Sequence, residues 1–415
     1  MRIAIFTDLY LEIAGGIPSS VSAQKTALEQ LGHQVTIFCP ATKAPKNRSI
    51  ITLPTLKLKI NGAPIARRPK KIIKFIEANF PNFKTDFDLI HTHYEAATSI
   101  AGIILAKKYH LPLVQTMHGR EDQAVAINVP HPFKTIVAVI LNTLHFNGLK
   151  SCVSTDLKIK PDHYLAPTLA TSNMWELMVR EANCADQVIT PSQHFADKLK
   201  HYGVRRPITA VSNGVPDEII QHGTQTVRTL KKSNSSPLRI IWTNRLSREK
   251  RILPFLEALA IVKRSTDQFF FTAVGDGNQI KAAQKFVKRH GLNNNIKFLG
   301  AVSRQEALTL LKNEHLSIIN SYGFDTQGLT ILEAGAVGLP VIYCDPDMSQ
   351  VVLPGAGLLA TDSSPAAMAN LILSIIKQPE LIENMSRSAL SHQHQALQST
   401  QIQQLLKVYR RAVKD

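Results

Sequence analysis

Two acidic residues flank a glycine in the stretch Ser321 to Pro340, and their spacing suits the binding of a phosphorylated sugar. Asp325 and Glu333 are eight residues apart, and Gly328 lies between them. The pattern predicts a loop after a strand, then a helix that opens near Gln327–Thr330. A helix N-terminus has unpaired N–H groups that favour phosphate, and glycine lets the backbone approach closely. The competing interpretation is a helix-start acid and a solvated glutamate.

A basic segment follows another predicted strand, Leu238–Thr243. It reads N-R-L-S-R-E-K and places Arg245 and Lys250 just after the strand. Open parallel sheets hold ligands at the carboxyl ends of their strands. A planar guanidinium and a point-charge ammonium could together neutralise a diphosphate. The alternative is a basic helix start, but helix N-termini prefer acids, so the diphosphate interpretation is favoured.

The first half of the chain offers weaker candidates. Gly15 and Gly16 precede a predicted helix and could bring the backbone close to a diphosphate. They do not form a G-x-G-x-x-G fingerprint, which argues against a dinucleotide cofactor. His118 in Q-T-M-H-G-R-E-D follows a predicted strand, and Glu121 and Asp122 come next as candidate contacts to an acceptor. A lone histidine is more often structural, but the strand-end position favours a site.

Taken together, these segments resemble glycosyltransferase family 4, retaining enzymes of the GT-B fold. The form T-Q-G-L-T-x-L-E-A is most similar to bacterial diacylglycerol glucosyltransferases. The family usually has glutamate where this chain has Asp325, which is one methylene shorter. The resemblance implies transfer of glucose from UDP-glucose to a membrane lipid such as diacylglycerol. The alternatives are a GDP-mannose or other nucleotide-sugar enzyme acting on a phosphoinositide or cell-envelope glycan, and a GT-B-like protein that binds without catalysis.

The resemblance also assigns roles to individual residues. Arg245 and Lys250 match the diphosphate clamp, Asp325 the sugar contact, and His118 a histidine near the sugar's 6-hydroxyl; these four are the expected catalytic residues. The expected donor-binding set is Gly15, Gly16, Arg245, Lys250, Gly275, Gly277, Val302, Asp325, Thr326, Gln327, Gly328, Leu329, Thr330 and Glu333. Taken alone, V-G-D-G-N around Gly275 is a turn, and the segment before Val302 is a strand end. No side chain is an obvious nucleophile, so front-face attack is expected.

The order of predicted elements indicates two doubly wound parallel sheets. Strands and helices alternate through both halves. We expect an α/β fold with a Rossmann-like acceptor-binding domain over 1–215, a linker over 216–237, and a Rossmann-like nucleotide-sugar domain over 238–398. In GT-B proteins the two domains face each other across a cleft, and a C-terminal helix, here 399–415, crosses back to the first domain.

Composition describes an ordinary globular protein. The chain has 415 residues, 44% hydrophobic and 19% charged, which is enough for two cores. Its four cysteines show no C-x-x-C pair, and Cys39 and Cys344 are expected to be reduced and buried. With no signal peptide pattern after Met1, we expect a cytoplasmic location.

Two interpretations account for the net charge of +17: a negatively charged partner, or a basic face that is solvated. No nucleic-acid module is present, so nucleic acid is disfavoured. Basic residues crowd the segment 57–74 with apolar residues between them: Arg67, Arg68, Lys70, Lys71 and Lys74 are expected at an anionic membrane face. The apolar stretch Phe133–Phe146 could lie against lipid or in the core, and we favour lipid. Peripheral attachment to the inner face of the cell membrane follows.

Two patterns imitate metal sites. His91, His93 and Glu95 alternate as zinc ligands on a strand would, but that strand is structural in the family. Asp345-Pro346-Asp347 is similar to a metal-binding D-x-D, yet a loop turn after a strand accounts for it better. No metal and no cofactor beyond the nucleotide-sugar substrate are expected. Oligomeric state is undetermined.

Overall fold

The computed structural model describes residues 1–9, 15–40, 49–60, 63–94, 96–152, 157–221, 226–231 and 236–414. The chain forms two compact units. One contains Met1–Asn213 together with the C-terminal residues from Gln401, and the other contains Gly214–Thr400. The described residues between 216 and 237, expected to form a linker, fall in the second unit.

The first unit is built on a parallel sheet with the strand order β3-β2-β1-β6-β7-β8-β9. A separate antiparallel hairpin pairs β4 with β5. The strands are β1 (Arg2–Thr7), β2 (Gln34–Cys39), β3 (Ile50–Thr52), β4 (Thr55–Ile60), β5 (Ala63–Ala66), β6 (Leu89–His93), β7 (Leu113–Thr116), β8 (Gln187–Thr190) and β9 (Ile208–Ala210). The chain runs outward from β1 and then returns to its other side, so the topological switch point lies between β1 and β6.

Helices connect these strands. They are α1 (Gly16–Gln30), α2 (Pro69–Asn79), α3 (Phe83–Asp86), α4 (Ala97–Tyr109), α5 (Glu121–Asn128), α6 (Lys134–Leu149), α7 (Leu169–Ala182) and α8 (Gln193–His201).

Alternation along β1 divides the core of the first unit between the two faces of its sheet. Ala4 and Phe6 join one apolar cluster, whereas Ile3 and Ile5 join the other. The second cluster also contains Leu405 and other buried residues of the C-terminal helix. A strand buried on both faces is expected in a parallel sheet covered by helices on both sides.

Helix α6 has an unusual distribution of polarity. Its buried side carries polar groups: Asn142 donates to Glu176 of α7 at 2.8 Å, and His145 Nε2 lies 2.6 Å from a Glu181 oxygen. Its other side is apolar and between 42% and 64% exposed, at Phe133 just before the helix and at Ile136, Val139, Ile140, Leu141 and Leu144. The exposed face is therefore the more hydrophobic one. No helix in the described part of the chain has both the length and the apolarity to span a bilayer.

The second unit has its own parallel sheet with the order β12-β11-β10-β13-β14-β15. Its elements are α9 (Glu218–Gln221), β10 (Leu238–Thr243), α10 (Ile252–Ser265), β11 (Phe269–Val274), α11 (Ile280–Arg289), β12 (Ile296–Gly300), α12 (Arg304–Lys312), β13 (Leu316–Ile319), α13 (Leu329–Ala336), β14 (Val341–Tyr343), β15 (Gly357–Leu359), α14 (Pro365–Lys377) and α15 (Glu380–His392). The C-terminal helix α16 (Gln398–Lys414) begins in this unit, and its residues from Gln401 belong to the first unit. The switch point lies between β10 and β13.

The predicted α/β class with two parallel sheets is confirmed. The predicted strand Leu238–Thr243 has the observed bounds. The three-residue edge strands β3 and β15 and the β4–β5 hairpin were not predicted. Cys39 and Cys344 are buried, as expected.

Candidate active site

The strongest group of site residues lies at the switch point of the second sheet. Arg245 and Lys250 follow β10, and Asp325 follows β13, the strand beside it. Because both strands are parallel, their carboxyl ends meet at one edge and bring the segments together. Residues 75 positions apart in sequence are thus in contact.

Lys250 and Asp325 form a largely buried ion pair. Lys250 Nζ donates to Asp325 Oδ1 at 2.5 Å, and Ser321 Oγ donates to Oδ2. Burial would raise the pKa of Asp325, but the Lys250 charge, hydrogen bonds from Lys250 and Ser321, and the Arg245 charge outweigh it and lower that pKa. An ammonium group has three donors, so Lys250 can keep Asp325 and still donate to a phosphate oxygen.

Arg245 is the exposed cation of the group. Its side chain is 67% exposed, and Nη2 lies 3.3 Å from Oε1 of the buried Glu249. Ser247 donates to the same carboxylate oxygen. Glu249 therefore anchors Arg245 without covering it.

Helix α13 begins beside this pair. Gly328 occupies the position before the helix with φ +72°, a left-handed conformation that favours glycine, and no side chain caps the N-terminus. No acid lies in the first turn. Asn244 Nδ2 donates to Thr330 Oγ1 at 3.4 Å, which joins the segment after β10 to this helix start. Thr326 and Gln327 are buried in the loop before Gly328, and Leu329 is the first helical residue.

Glu333 lies on the second turn of α13. It accepts from Arg304 Nη2 at 3.2 Å. Burial raises the pKa of Glu333, and Arg304 opposes that increase. Arg304, at the start of α12, was not among the predicted site residues.

Gly275 and Gly277 are required for contact between two loops. A Cβ on Gly275 would lie 2.2 Å from the Asn244 carbonyl oxygen, and one on Gly277 would lie 2.4 Å from that of Leu246. Leu246 N also donates to Asp276 O at 3.0 Å. Because these glycines lack a Cβ, the loop after β11 can lie against the backbone of Asn244 and Leu246. The contacts observed for both glycines are with this backbone. Val302 follows β12 and packs on the apolar cluster around α13.

In the first unit, Gly15 and Gly16 stand at the start of α1. Gly15 has extended φ, and α1 has no side-chain cap and no acid in its first turn. The helix start could therefore accept an anion. Residues 10–14, which connect β1 to this helix start, lie outside the described part of the chain.

His118 belongs to a buried series of histidines. Its Nε2 lies 2.8 Å from His93 Nδ1, and His93 Nε2 lies 3.3 Å from His91 Nδ1. Burial lowers the pKa of His118 and of His91 to about 3, with the charge of His118 contributing at His91. Burial likewise lowers the pKa of His93. All three rings are therefore neutral near pH 7.

Glu121 and Asp122 differ in their surroundings. Asp122 is fully buried and accepts two hydrogen bonds from Arg120, each 2.8 Å long. The guanidinium of Arg120 in turn lies over the Trp175 ring, 5.3 Å from the ring centroid. Glu121 opens α5, and burial, followed by the Asp122 charge, raises its pKa to about 7.

The predicted membrane-side cations lie on or near the surface of the first unit. They come just before or on α2: Arg67, Arg68, Lys70, Lys71 and Lys74. Helix α4 packs against both α2 and α6.

The two patterns that imitate metal sites make their contacts within the protein. His91 and His93 bond to Tyr409 and His118, and Glu95 lies outside the described residues. Asp345 accepts from the backbone of Gly323 and of Asp347, as a turn residue does. Among the described residues, no group of three or more histidines, cysteines or acids is placed to hold a metal ion.

Three contacts of the site were not predicted from the sequence: Ser321 on Asp325, Asn244 on Thr330, and Arg304 on Glu333. Ser321 and Asn244 follow strand ends, and that position alone was a usable signal. Arg304 shows no local pattern, because its partner is 29 residues away on another element.

Two family models match consecutive parts of the chain. Glycosyltransferase Family 4 matches residues 14–219, and Glycosyl transferases group 1 matches residues 209–392. Together they include the first sheet apart from β1, the whole second sheet, and the residues around Arg245, Asp325 and Glu333.

Curated relatives and solved structures agree with these matches. Alpha-monoglucosyldiacylglycerol synthase of Acholeplasma laidlawii is 25% identical over 94% of this chain and 92% of its own. The protein of the same name from Streptococcus pneumoniae is 26% identical over 82% of this chain and 70% of its own. Anabaena HepE, solved with UDP, has a TM-score of 0.68 at 18% identity, covering 99% of this chain and 100% of its own.

Proposed function

Since this chain belongs to the glycosyltransferases, with a family 4 first half, a group 1 second half and the GT-B fold, we propose that it transfers glucose from UDP-glucose to diacylglycerol. One observation carries the donor half of the proposal. The Lys250–Asp325 pair lies at the switch point of the second sheet, beside Arg245 and an uncapped helix start.

The diphosphate is proposed to bind Arg245, Lys250 and the N–H groups at Gly328–Thr330. Two cations and a helix N-terminus match the charge and the acceptor oxygens of a diphosphate. Glu333, held by Arg304, is proposed to accept from the ribose hydroxyls, and Asp325 from a sugar hydroxyl. The roles that the family pattern gives to Gly15, Gly16 and His118 remain predictions.

Transfer is proposed to retain the configuration of the sugar. The bond from the sugar's C1 to the phosphate oxygen breaks while the acceptor oxygen bonds to C1 on the same face. The acceptor proton passes to the departing phosphate. Arg245 and Lys250 would stabilise the negative charge that develops on the phosphate, and such stabilisation is usually the largest catalytic term.

A lipid acceptor is supported by the surface of the first unit. The exposed apolar face of α6 and the cations near α2 give that unit both elements of a peripheral membrane site. The names of the two synthases agree with diacylglycerol. We therefore propose that the enzyme acts at an anionic membrane surface on the cytoplasmic side.

The test is transfer from labelled UDP-glucose, or from GDP-mannose, to phosphatidylcholine–phosphatidylglycerol vesicles with and without diacylglycerol. We expect a glucosylated lipid only with UDP-glucose and diacylglycerol, with the α-configuration of the donor retained and with activity unchanged by EDTA. Mannosyl transfer to the lipid would show that GDP-mannose, and not UDP-glucose, is the donor. If neither transfer nor donor hydrolysis occurs under any of these conditions, the result would indicate a protein that binds without catalysis.

A further inference from the structure

The short turn that carries Lys250 ends in a residue with an unusual backbone conformation. One turn of 3₁₀ helix spans Arg248–Lys250, and Arg251 follows it with φ 59° and ψ 44°. This left-handed conformation suits glycine and is unfavourable for any residue that carries a Cβ. Because the strain persists only where the surroundings enforce it, an arginine at this position indicates that its side chain has a task.

The guanidinium of Arg251 reaches the segments that follow the next three strands of the sheet. Its Nη2 donates at 2.7 Å to the carbonyl oxygen of Ser363, between β15 and α14. Its Nη1 lies 3.7 Å from the sulfur of Cys344, which directly follows β14. Its Cζ lies 6.0 Å from the centroid of the Tyr322 ring, in the loop after β13. Since these strands lie beside β10 in the order β13-β14-β15, one side chain connects four strand ends.

The backbone of Arg251 is held at the same edge of the sheet. Its carbonyl oxygen accepts from Asn320 Nδ2 at 2.9 Å, and Asn320 directly follows β13. The Cys344 sulfur lies 3.5 Å from the carbonyl oxygen of Asn320 and 3.6 Å from that of Ser321. Arg251, Asn320 and Cys344 therefore form a closed group, in which each residue contacts the other two.

This group is joined to both partners of the ion pair between Lys250 and Asp325. Lys250 immediately precedes Arg251, so the backbone angles of Arg251 fix where the end of the turn lies. On the other side, Ser321 contacts Cys344 through its carbonyl oxygen and donates to Asp325 through its hydroxyl. The ion pair has little freedom to adjust, because its side chains are only 12% and 11% exposed.

We propose that Arg251 is a positioning residue for Lys250. Its left-handed backbone ends the turn, and its guanidinium fixes that turn to the ends of β13, β14 and β15, so that the Lys250 ammonium is held beside Asp325. The proposal rests on the proposed function, in which Lys250 stabilises the departing phosphate. Because the guanidinium of Arg251 is engaged by protein groups, it acts through Lys250 and not on the donor itself.

A double-mutant cycle tests this dependence on Lys250. Arg251→Gly removes the guanidinium but leaves a residue that adopts the left-handed conformation without strain. We expect kcat/KM for UDP-glucose to fall about three- to tenfold, the range for a weakened hydrogen bond. Introduced into Lys250→Ala, the same substitution should change kcat/KM by less than about twofold, because no ammonium remains to be positioned. No loss in the wild-type background, or the same loss in both backgrounds, would overturn the proposal.

The matched control is Arg239→Ala. Arg239 lies near the amino end of β10, and its Nη2 likewise donates to a carbonyl oxygen, that of Asn313, at 2.7 Å. We expect kcat/KM to be unchanged in this variant. An equal fall in Arg239→Ala and Arg251→Gly would indicate general destabilisation and contradict a positioning role.

Stability in urea tests the backbone part of the proposal. Arg251→Ala lacks the guanidinium but keeps a Cβ, so it should unfold at a lower urea concentration than Arg251→Gly. The opposite order would contradict a left-handed turn at this position.

Crystal structures of the wild type and of Arg251→Gly, both without ligand, test the geometry directly. In the variant we expect Lys250 Nζ and Asp325 Oδ1 to be more than about 4 Å apart, beyond the range of an ion pair. An intact ion pair in the variant would overturn the proposal. If Arg251→Gly does not fold, Arg251→Lys replaces it in each measurement, since lysine keeps the charge but lacks the planar fork that spans Ser363 and Cys344.

The two kinds of experiment separate this proposal from the proposed function. The crystal structures need no substrate, so a wild type without glucosyl transfer would reject the proposed function alone. An active wild type whose Arg251→Gly variant keeps the ion pair would reject only the role of Arg251.

Discussion

At the scale of single residues, the site depends on charges whose ionisation is set by their partners. Asp325 stays ionised although it is buried, because Lys250 and Ser321 stabilise its charge. Glu121 has the opposite balance: burial and a neighbouring acid disfavour its charged form.

Lys250→Ala should lower turnover at least about tenfold with the fold intact, because a cation that is proposed to stabilise the departing phosphate is lost. Lys250→Arg keeps the charge but changes its geometry and should retain part of the activity. Steady-state kinetics measure the effect, and Lys285→Ala, which removes a lysine of α11, is the control. Full activity in Lys250→Ala would exclude this residue from the mechanism.

Glu121→Gln should alter the pH dependence of stability. The folded pKa is raised to about 7 from the ordinary 4.5, so the unfolded chain ionises first as pH rises. Between those values the wild type loses stability relative to the glutamine variant, by about 1–3 kcal/mol in total. Urea unfolding of both proteins at about pH 3.5 and about pH 8, on either side of that interval, measures the difference in the free energy of unfolding. If the free energies of unfolding of the two proteins differ by the same amount at both pH values, the raised pKa of Glu121 would be contradicted.

At the scale of elements, α6 shows how packing chooses the face that a helix exposes. The polar side of α6 faces α7 because Asn142 and His145 find partners in Glu176 and Glu181. Its apolar side is left outward. The loops after β10 and β11 show a related effect, since they approach closely only where Gly275 and Gly277 lack a Cβ.

Leu144→Glu on α6 should weaken binding to vesicles that contain phosphatidylglycerol by about tenfold, the loss expected when one leucine no longer enters an apolar environment. Leu144 is 64% exposed, so the fold should persist. Vesicle flotation measures binding. Leu31→Glu, at a leucine that is 47% exposed elsewhere in the first unit, is the control, and equal losses in both variants would argue against α6 as the membrane face.

At the scale of the whole molecule, the C-terminal helix α16 packs into the core of the first unit. Leu405 of α16 is 2% exposed within the cluster that holds Ile3 and Ile5 of β1. Residues from the two ends of the chain thus share one core.

Leu405→Ala should destabilise the first unit by about 2–5 kcal/mol, through lost burial and the cavity left behind. The chain has two tryptophans, Trp175 in the first unit and Trp242 in the second. Introducing Leu405→Ala into Trp242→Phe and Trp175→Phe backgrounds lets fluorescence follow each unit during urea unfolding. We expect the Trp175 transition to shift. A shift confined to the Trp242 transition would show that Leu405 of α16 stabilises the second unit instead of the first.

The sequence by itself determined the class of fold and predicted the segments of the proposed donor site. Alternating apolar runs and glycine turns are local signals, and ligand residues in open α/β sheets follow strand ends, so Arg245, Lys250 and Asp325 could be proposed as site residues without coordinates. Only the tertiary structure decided which side chains meet. Arg304 with Glu333, and Tyr409 with His91 across 318 positions, are contacts between distant elements. It also decided that Asp122 is buried and that α6 turns its apolar side outward, because burial depends on what packs against a residue and not on the residue's own type.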